Sequence, residues 1–382
     1  MRQGLWGKVL ILIMALALVA VACERDDDDG NGGTAEDTTD AAEQEPEGGG
    51  LLQEVIDRGT LRCGVNETVP GFGFDPGDGS IEGFDIDFCK AFAAALFNNP
   101  DVEEDTDYEL HPIDADNRFI ALQDGQYDVL VRNTTHTTSR DGAEGIDFMH
   151  VNFYDGQAMM VRAGEFSSID EMDGTDICVT TGTTTELNLA DYFGERDLEM
   201  SPIGFADNTE IQRAFIQERC DGWTSDRSQL AGVRSAWPNN EGGPESLEIL
   251  EEVMSKEPLA PGTLDTEHEL HDALNAVVNG IILAEELGVN SNNVQDMFDD
   301  PPNGQVAALL GAPVEDPETG DAAPISNDLG IEDGFMVPAI QAVGNYGEIF
   351  DRHIGPNTDL GLERGINALW TDGGIQYAIP FR

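Results

Sequence analysis

Residues 83–96 read GFDIDFCKAFAAAL, and the spacing of their aromatic side chains indicates the fold class. Phe84, Phe88 and Phe92 recur every four residues after Gly83, which places them on one face of a helix. A helix with one broad apolar face packs against a sheet or another helix. We therefore interpret these aromatic residues as core rather than as a cofactor site.

Short predicted strands and helices alternate on both sides of this helix. Strands are predicted at 61–65 and 127–131, with a helix at 117–123 that ends before Gly125. A second unit of the same kind begins near Met159. It contains the following elements: a strand at 177–180, helices at 184–192 and 210–218, and a short strand that ends at Asp226. This alternation predicts an α/β fold with a mostly parallel sheet in each unit.

The folded part begins near Leu51 and is too long for one ordinary core, so we predict two lobes. We assign 51–157 to the first lobe and 158–255 to the second. Residues 256–382 return to the first lobe and add a C-terminal helical extension. Helices in this last segment are predicted at 267–286, 338–350 and 362–370.

The start of the chain carries targeting information, so the fold prediction excludes it. A short basic region precedes an apolar run at 9–21, which is too short for an ordinary membrane span. The residues up to Cys23 read AVAC and resemble a bacterial lipobox, although leucine is usual where Ala20 stands. We predict a signal peptide at 1–22 and a membrane anchor through lipid on Cys23. An ordinary signal peptide with a chance cysteine is the alternative.

Residues 23–50 predict an acidic tether. They contain no aromatic residue, and positions 26–29 are four consecutive aspartates. Such a segment cannot bury enough apolar surface to offset its chain entropy, so we expect it to be disordered. A calcium-binding loop is the alternative interpretation of the aspartate run.

The acidic composition excludes one class of partner. Lys and Arg number 19 against 75 Asp and Glu, and removal of 1–22 leaves 17 against 75, a net charge of −58. Such a surface repels phosphate and excludes nucleic acid. Because lysine occurs only at positions 8, 90 and 256, the composition resembles that of proteins from salt-loving organisms. Salt at about 1 M shortens the Debye length to about 3 Å and screens the self-repulsion.

Four cysteines follow Cys23: Cys63, Cys89, Cys178 and Cys220. An even number in an exported protein predicts two disulfides, for which three pairings are possible. We favour Cys63–Cys89 with Cys178–Cys220, since each pair then lies within one predicted lobe. A metal site is the alternative, but the sequence has no CxxC motif and no histidine cluster. We expect no metal and no cofactor.

Three polar stretches suit a zwitterionic ligand. The loop after the strand at 127–131 offers hydroxyl groups and Arg140, which can hold a carboxylate through two hydrogen bonds. Ligands of open α/β sheets bind beyond such strand ends. Thr183 stands three residues before a glutamate, as in a capping box, so Thr184 would head a helix whose N–H groups attract an anion. Asp226, at a strand end, can receive an ammonium group.

Each stretch also has a purely structural interpretation. Thr183 and Glu186 can form a helix cap and nothing more. Arg140 can form a surface ion pair with Asp141, and Asp226 can be one acid among 75. The order of the three stretches along two successive α/β units favours a shared site.

Six stretches match one family, and they are spread over 51–382: LRCGV at 61–65, GFDIDFC at 83–89, RNTT at 132–135, GTTTELNLADY at 182–192, SKEPL at 255–259 and AVGNYGEIF at 342–350. With these runs the chain resembles the type 2 periplasmic binding proteins (solute-binding protein family 3). Within that fold it is similar to the general L-amino-acid-binding subfamily of polar amino-acid ABC transporters. The resemblance implies two lobes with a ligand cleft between them.

The resemblance also implies a ligand site of six polar residues: Asn133, Thr135, Arg140, Thr183, Thr184 and Asp226. Arg140 falls where the family's arginine binds the α-carboxylate, supported by Thr135 and by the helix start at Thr184. Asn133 falls where first-lobe groups meet the α-amino group. Asp226 falls where the family's carboxylate pairs with that ammonium group.

Three further positions bear on the preferred side chain of the ligand. His136 stands where the family tends to have tryptophan, which puts the side-chain preference in question. Val69 and Ala115 align with positions where narrow-specificity relatives place larger residues over the substrate side chain. Small residues there imply a roomy pocket and broad specificity.

The resemblance implies an exported, periplasmic or cell-surface component of an amino-acid ABC importer rather than an enzyme. Free L-amino acids would dock on the first lobe, and hinge strands near 155–158 and 256–260 would let the second lobe close. The membrane permease is the implied partner, and a monomer is the default state.

Two alternatives are left open. One is a cleft enzyme of the cyclohexadienyl-dehydratase type, for which the sequence shows no acid–base motif. The other is a ligand-sensing module. Such modules usually continue into a spanning helix, and we see none after residue 50.

Overall fold

The structure is a computed structural model that describes residues 50–315 and 322–382. The predicted signal peptide at 1–22, the lipidation site at Cys23 and all but the last residue of the predicted tether at 23–50 lie outside the described residues. No helix in the described part of the chain is both long and apolar enough to cross a membrane.

The strands have the following bounds: β1 Leu61–Val65, β2 Thr68–Val69, β3 Gly73–Phe74, β4 Tyr108–Pro112, β5 Val129–Leu130, β6 Ile146–Phe148, β7 Phe153–Asp155, β8 Gln157–Arg162, β9 Thr175–Thr180, β10 Met200–Phe205, β11 Gly222–Asp226, β12 Leu247–Ile249, β13 Glu257–Leu259, β14 Gly262–Leu264, β15 Val314–Glu315 and β16 Ala322–Ala323.

The α-helices have the following bounds: α1 Leu51–Arg58, α2 Phe84–Leu96, α3 Arg118–Gln123, α4 Thr138–Ala143, α5 Thr184–Gly194, α6 Asn208–Ile216, α7 Arg227–Ser235, α8 His268–Glu286, α9 Val294–Asp299, α10 Gly304–Leu310, α11 Met336–Val343 and α12 Tyr346–His353. Short 3₁₀ turns lie at Ile169–Glu171, Asn239–Glu241, Pro244–Ser246, Gly365–Asn367 and Trp370–Asp372.

Two five-stranded sheets organise the described residues. The first has the strand order β4-β1-β5-β14-β6, and the second has the order β10-β9-β11-β8-β12. β1 pairs in parallel with β4 and β5, and β9 pairs in parallel with β10 and β11. β14 and β8 run antiparallel to their neighbours. Each sheet forms one lobe with its helices, which confirms the predicted two-lobed α/β fold.

Two strands link the lobes. The chain leaves the first sheet through β7 and returns to it through β13, and these two strands pair antiparallel with Asp155 opposite Glu257. The strand pair lies where the hinge was expected, near 155–158 and 256–260. The finer segment boundaries, after residues 157 and 255, stay a prediction.

The aromatic face of α2 forms the centre of the first-lobe core. Phe84, Phe88 and Phe92 are completely buried, and α2 packs against β1 on one side and against α8, α11 and α12 on the other. Burial of each phenylalanine contributes about 1.5–3 kcal/mol to folding. The interpretation of these residues as core is confirmed, and the late helices α8, α11 and α12 pack against α2.

Two predicted C-terminal helices are wrong. The single helix expected at 338–350 is divided into α11 and α12 at Gly344, whose φ of +85° lies in the left-handed region. Asn345 then begins α12 with a capping box formed with Glu348. The helix expected at 362–370 is replaced by irregular chain and 3₁₀ turns. Gly365, also at positive φ, breaks the helical pattern there.

Each lobe contains one disulfide. Cys63 of β1 is bonded to Cys89 of α2 in the first lobe, and Cys178 of β9 is bonded to Cys220, just before β11, in the second. The favoured pairing is confirmed. The loop lengths imply about 3.5–4 kcal/mol of stabilisation from each bond on the chain-entropy model.

Candidate functional site

The candidate site is a polar cleft between the two lobes, with about 480 Å³ of empty space. The lobes touch around it. The Nη2 of Arg118, in the first lobe, donates to the carbonyl oxygen of Gly182 in the second at 3.3 Å. A Cβ at Gly182 would lie 2.7 Å from the Cα of Asp116, so only glycine permits this approach. The structure therefore shows the lobes closed.

The structure brings seven of the predicted ligand residues to this cleft: Ala115, Asn133, Thr135, Arg140, Thr183, Thr184 and Asp226. Val69 does not line it, because its side chain is completely buried in the first-lobe core. His136 does not line it either; its ring stacks on Phe148 with centroids 4.7 Å apart. Of the two small residues expected over the ligand side chain, the cleft therefore contains only Ala115.

Arg140 lies in the first turn of α4, whose N-cap is Thr137. Its guanidinium group is held by one hydrogen bond, from Nη1 to the carbonyl oxygen of Thr135 at 2.6 Å. Burial lowers the pKa of Arg140, and the nearby carboxylates of Glu257 and Asp226 oppose that shift. An arginine stays protonated under these conditions. The group is thus a fixed cation with donors left for a ligand.

Sequence reasoning missed two further arginines of the first-lobe wall. The Nη1 of Arg118 donates to the carbonyl oxygen of Ala115, and the Nε of Arg132 donates to that of Ile113 at 2.7 Å. The Nε of Arg118 is buried and has no partner among the described residues. Burial is the main cause that lowers the pKa of both, to about 10 for Arg132.

None of these three guanidinium groups has a carboxylate partner. Within the described residues, no carboxylate oxygen lies within 4.0 Å of Arg118, Arg132 or Arg140. All three residues are less than a tenth exposed. Buried charges are normally paired, because desolvating an isolated ion is costly. The first-lobe wall therefore presents three buried cations that the charge of a bound anion could compensate.

Asn133 lies beside these arginines in a left-handed backbone conformation, with a φ of +34°. Its backbone N–H donates to the carboxylate of Asp85 in α2 at 2.7 Å, and its side-chain oxygen accepts from Asn66 at 3.2 Å. Burial raises the pKa of Asp85 to about 7, although the Asn133 hydrogen bond and Arg132 oppose the shift. The core helix thus fixes the loop that carries the arginines.

The second-lobe wall begins with the N-terminus of α5. Thr183 is its N-cap and accepts from the N–H of Glu186 at 3.1 Å. The Glu186 carboxylate accepts from the N–H of Gly182 at 2.9 Å, one residue before the cap rather than at it. The first N–H groups of a helix have no partner within the helix and favour an anion. Thr184 lies at that end, facing the cleft.

Asp226 ends β11, as predicted, and is buried in the second-lobe wall. Its carboxylate accepts from the side-chain amide of Gln229. Burial raises the pKa of Asp226 well above its ordinary value; the charges of Asp155 and Glu257 raise it further, and Arg140 opposes them. An ammonium group placed beside Asp226 would stabilise the ionised form.

Glu257, in the linking strand β13, is a third residue near the cleft that sequence reasoning missed. Its Oε2 accepts from the hydroxyl groups of Thr135 at 2.6 Å and Thr184 at 2.7 Å. Its Oε1 accepts from the amide of Asn188 at 2.9 Å and from the hydroxyl of Ser255. The segment SKEPL was noticed as a family match, but only the fold brings its glutamate between the lobes.

Across 50–315 and 322–382, no cluster of three or more His, Cys, Asp or Glu side chains could hold a metal ion. What the arrangement offers is a cationic wall, a helix N-terminus and a buried carboxylate around one small polar cavity.

Comparison with known proteins gives matches over most of the chain. The family described as "Bacterial extracellular solute-binding proteins, family 3" matches residues 61–292. The general L-amino acid-binding periplasmic protein AapJ of Rhizobium johnstonii is 42% identical over 332 residues, which are 87% of this chain and 92% of that protein. The glutamate/glutamine/aspartate/asparagine-binding protein BztA of Rhodobacter capsulatus is 40% identical, over 87% of this chain and 93% of that protein.

A solved structure is similar in three dimensions as well. The ABC transporter periplasmic binding protein from Brucella ovis, with glutathione bound, superposes with a TM-score of 0.80 at 39% identity. The match covers 88% of this chain and all of that one. The similarity thus includes both lobes and the cleft between them.

Proposed function

Because the chain belongs to the bacterial extracellular solute-binding proteins, family 3, we propose that it is the extracytoplasmic binding component of an amino-acid ABC importer. It binds free L-amino acids between its lobes and delivers them to a membrane permease. The observation that carries this function is the placement of Arg140 and Asp226 on opposite walls of one closed cleft.

Each end of an amino acid has a complementary group. Arg140 can hold the α-carboxylate through two hydrogen bonds, and the N-terminus of α5 at Thr184 adds to its stabilisation. Asp226 can take the α-ammonium group. Hydrogen bonds to charged groups are worth about 1.5–3 kcal/mol each. Because the two groups belong to different lobes, the full set forms only when the lobes close.

The remaining first-lobe charges bear on the ligand side chain. Arg118 and Arg132 have no carboxylate partner in the described residues, so a ligand side chain that ends in a carboxylate or an amide would compensate them. This supports polar ligands, acidic and amide ones above all. The Rhodobacter relative is named for binding the same kinds of amino acid, the acidic and amide ones. Broad specificity among polar amino acids is part of the proposal.

Export and membrane anchoring complete the proposed function. The Rhizobium relative is periplasmic by name, and two disulfides suit an oxidising compartment. We assign the signal peptide to 1–22 and the lipid to Cys23, with the protein a monomer.

Adaptation to high salt is proposed from composition. With a net charge of −56 for the whole chain, self-repulsion destabilises the folded state unless salt screens it. We expect the melting temperature to rise steeply between dilute buffer and molar potassium or sodium chloride. Thermal unfolding over that range measures the rise, and a flat response would remove the halophilic assignment.

A binding protein is favoured over the two alternatives. The relatives that share about two fifths of their residues with this chain are binding proteins. We therefore propose that the cleft carries out no reaction of the cyclohexadienyl-dehydratase type. A permease gene beside this gene would favour transport over sensing.

The direct test is a thermal-shift screen of the twenty amino acids in molar salt. A ligand at a hundred times its Kd stabilises a protein by about 2.7 kcal/mol, which is readily measured. We expect several polar amino acids to raise the melting temperature. Response to one alone would reject broad specificity, and response to none would reject the function.

A further inference from the structure

The linking strand places one buried carboxylate between the two walls of the cleft. Glu257 is 1% exposed, and its four hydrogen-bond donors come from both sides of the hinge. Thr135 belongs to the first lobe, while Thr184 and Asn188 belong to α5 of the second. Of these donors, the two threonines also line the ligand cleft.

The number of protons that each group can donate sets the direction of these hydrogen bonds. A hydroxyl group has one proton to donate and two lone pairs, whereas an ionised carboxylate only accepts. At 2.6 and 2.7 Å from Oε2, Thr135 and Thr184 both give their single proton to Glu257. The two hydroxyl oxygens lie 3.3 Å apart, and no proton is left for a hydrogen bond between them. Each hydroxyl oxygen keeps lone pairs that can accept a proton, and both threonines line the cleft.

We infer that Glu257 is a positioning residue for ligand recognition, which turns Thr135 and Thr184 into acceptors for the α-ammonium group. The sequence analysis expected hydroxyls in this loop to donate to a carboxylate, and the geometry reverses that role for these two. Glu257 acts through the threonines and does not line the cleft itself. The inference rests on the proposed function, because it concerns how that same cleft tells an amino acid from its analogues.

A side chain without oxygen atoms breaks this arrangement. In Glu257→Met, both threonines lose the acceptor that fixes the direction of their protons. Each hydroxyl group is then free to turn its proton toward the cleft. The variant thus presents a donor where the ligand's ammonium group needs an acceptor. An analogue that carries a hydroxyl group in place of the ammonium group tolerates either.

The test compares L-glutamate with L-2-hydroxyglutarate by calorimetry. We expect Glu257→Met to weaken glutamate about tenfold and to change hydroxyglutarate much less, so that the ratio of the two affinities falls. In a Thr135→Val/Thr184→Val background, Glu257→Met should add less than about twofold, because the groups through which Glu257 acts are gone. Equal weakening of both ligands, or an undiminished effect in that background, would show a purely structural hinge residue and overturn the inference.

A matched control separates the two carboxylate oxygens. Asn188→Ala removes a donor to Oε1 and leaves both threonine bonds to Oε2, so the affinity ratio should not change. If Glu257→Met does not fold, Thr135→Val/Thr184→Val decides alone: a lower ratio supports the inference, and an unchanged ratio overturns it. If the unmodified protein binds no amino acid, the proposed function is wrong. If the unmodified protein binds glutamate but the variants leave the ratio of glutamate to hydroxyglutarate affinity unchanged, only this inference is wrong.

Discussion

The two walls of the cleft differ in charge. The first-lobe wall presents three buried guanidinium groups, those of Arg118, Arg132 and Arg140, and the second-lobe wall presents the carboxylate of Asp226. We therefore propose that the first lobe receives carboxylates and the second receives an ammonium group. Neither wall alone complements a zwitterion, so this difference would set the orientation of the ligand and make closure part of binding.

The walls also differ in how they are held. The arginine wall is fixed from the core, through Asp85 and Asn133, whereas Asp226 sits next to the hinge beside Asp155 and Glu257. Three carboxylates near one another repel each other until a cation arrives. The ligand's ammonium group would supply that cation. We therefore expect the ligand to change the electrostatic energy of the second-lobe wall more than that of the first-lobe wall.

The largest effect is expected from removal of the central cation. Arg140→Met eliminates two charge-assisted hydrogen bonds to the α-carboxylate and should weaken glutamate binding by about 3 kcal/mol, roughly a hundredfold or more. Arg140→Lys should fail as well, since lysine lacks the planar fork. Calorimetry measures both. Arg196→Met, at a partly exposed arginine of the second lobe, is the control and should bind as the parent does.

Asp226→Asn tests the other wall. Loss of the ammonium partner should cost about 2 kcal/mol or more, roughly thirtyfold. Burial raises the pKa of Asp226, so in the parent a proton competes with the ligand and affinity falls as pH is lowered. The asparagine variant should lose most of that pH dependence. Asp191→Asn, on the exposed face of α5, should keep it; equal pH profiles for parent and Asp226→Asn would contradict the assignment.

Arg132→Gln sharpens the comparison within the first wall. If Arg132 compensates the ligand side chain, the variant should weaken aspartate and glutamate about tenfold. Serine, which has no side-chain carboxylate, should lose less than about threefold. Titration of the three ligands provides the comparison. A uniform loss would place Arg132 at the α-carboxylate instead.

The smallest expected effect concerns the support of the arginine wall. Burial raises the pKa of Asp85 from an ordinary 3.8 to about 7, so the folded state holds a proton that the unfolded state releases between those values. Its contribution to stability is present below about pH 4 and is lost as the pH rises to about 7. Asp85→Asn should flatten the fall in melting temperature over this range. A fall as steep as the parent's would show that Asp85 is ionised throughout.

Local pattern was enough for most of the fold. The apolar spacing of α2, the strand at 61–65 and the strand end at Asp226 all depend on neighbours in sequence, and the structure has them where they were expected. The late helices are different. Periodicity continues across Gly344, but the backbone turns there, because a capping asparagine and a glycine at positive φ outweigh the apolar repeat.

The position of a candidate residue was predictable where it lies at a strand end or near a helix start, as Arg140, Thr184 and Asp226 do. Arg118 and Glu257 escaped because nothing near them in sequence marks a residue of the cleft; the SKEPL match around Glu257 indicates only the family. Arg118 looks like one polar residue at the start of a short helix, and Glu257 meets Thr135 across 122 positions. Their roles depend on burial and on the approach of two lobes, which only the folded chain provides.

The central claim is that the walls grip opposite ends of one zwitterion. A crystal structure of the protein grown with L-glutamate in molar salt tests it most directly. We predict the α-carboxylate on the guanidinium group of Arg140 and the α-ammonium group on the carboxylate of Asp226, with the lobes closed. A ligand bound the other way round, or bound away from both residues, would contradict the account.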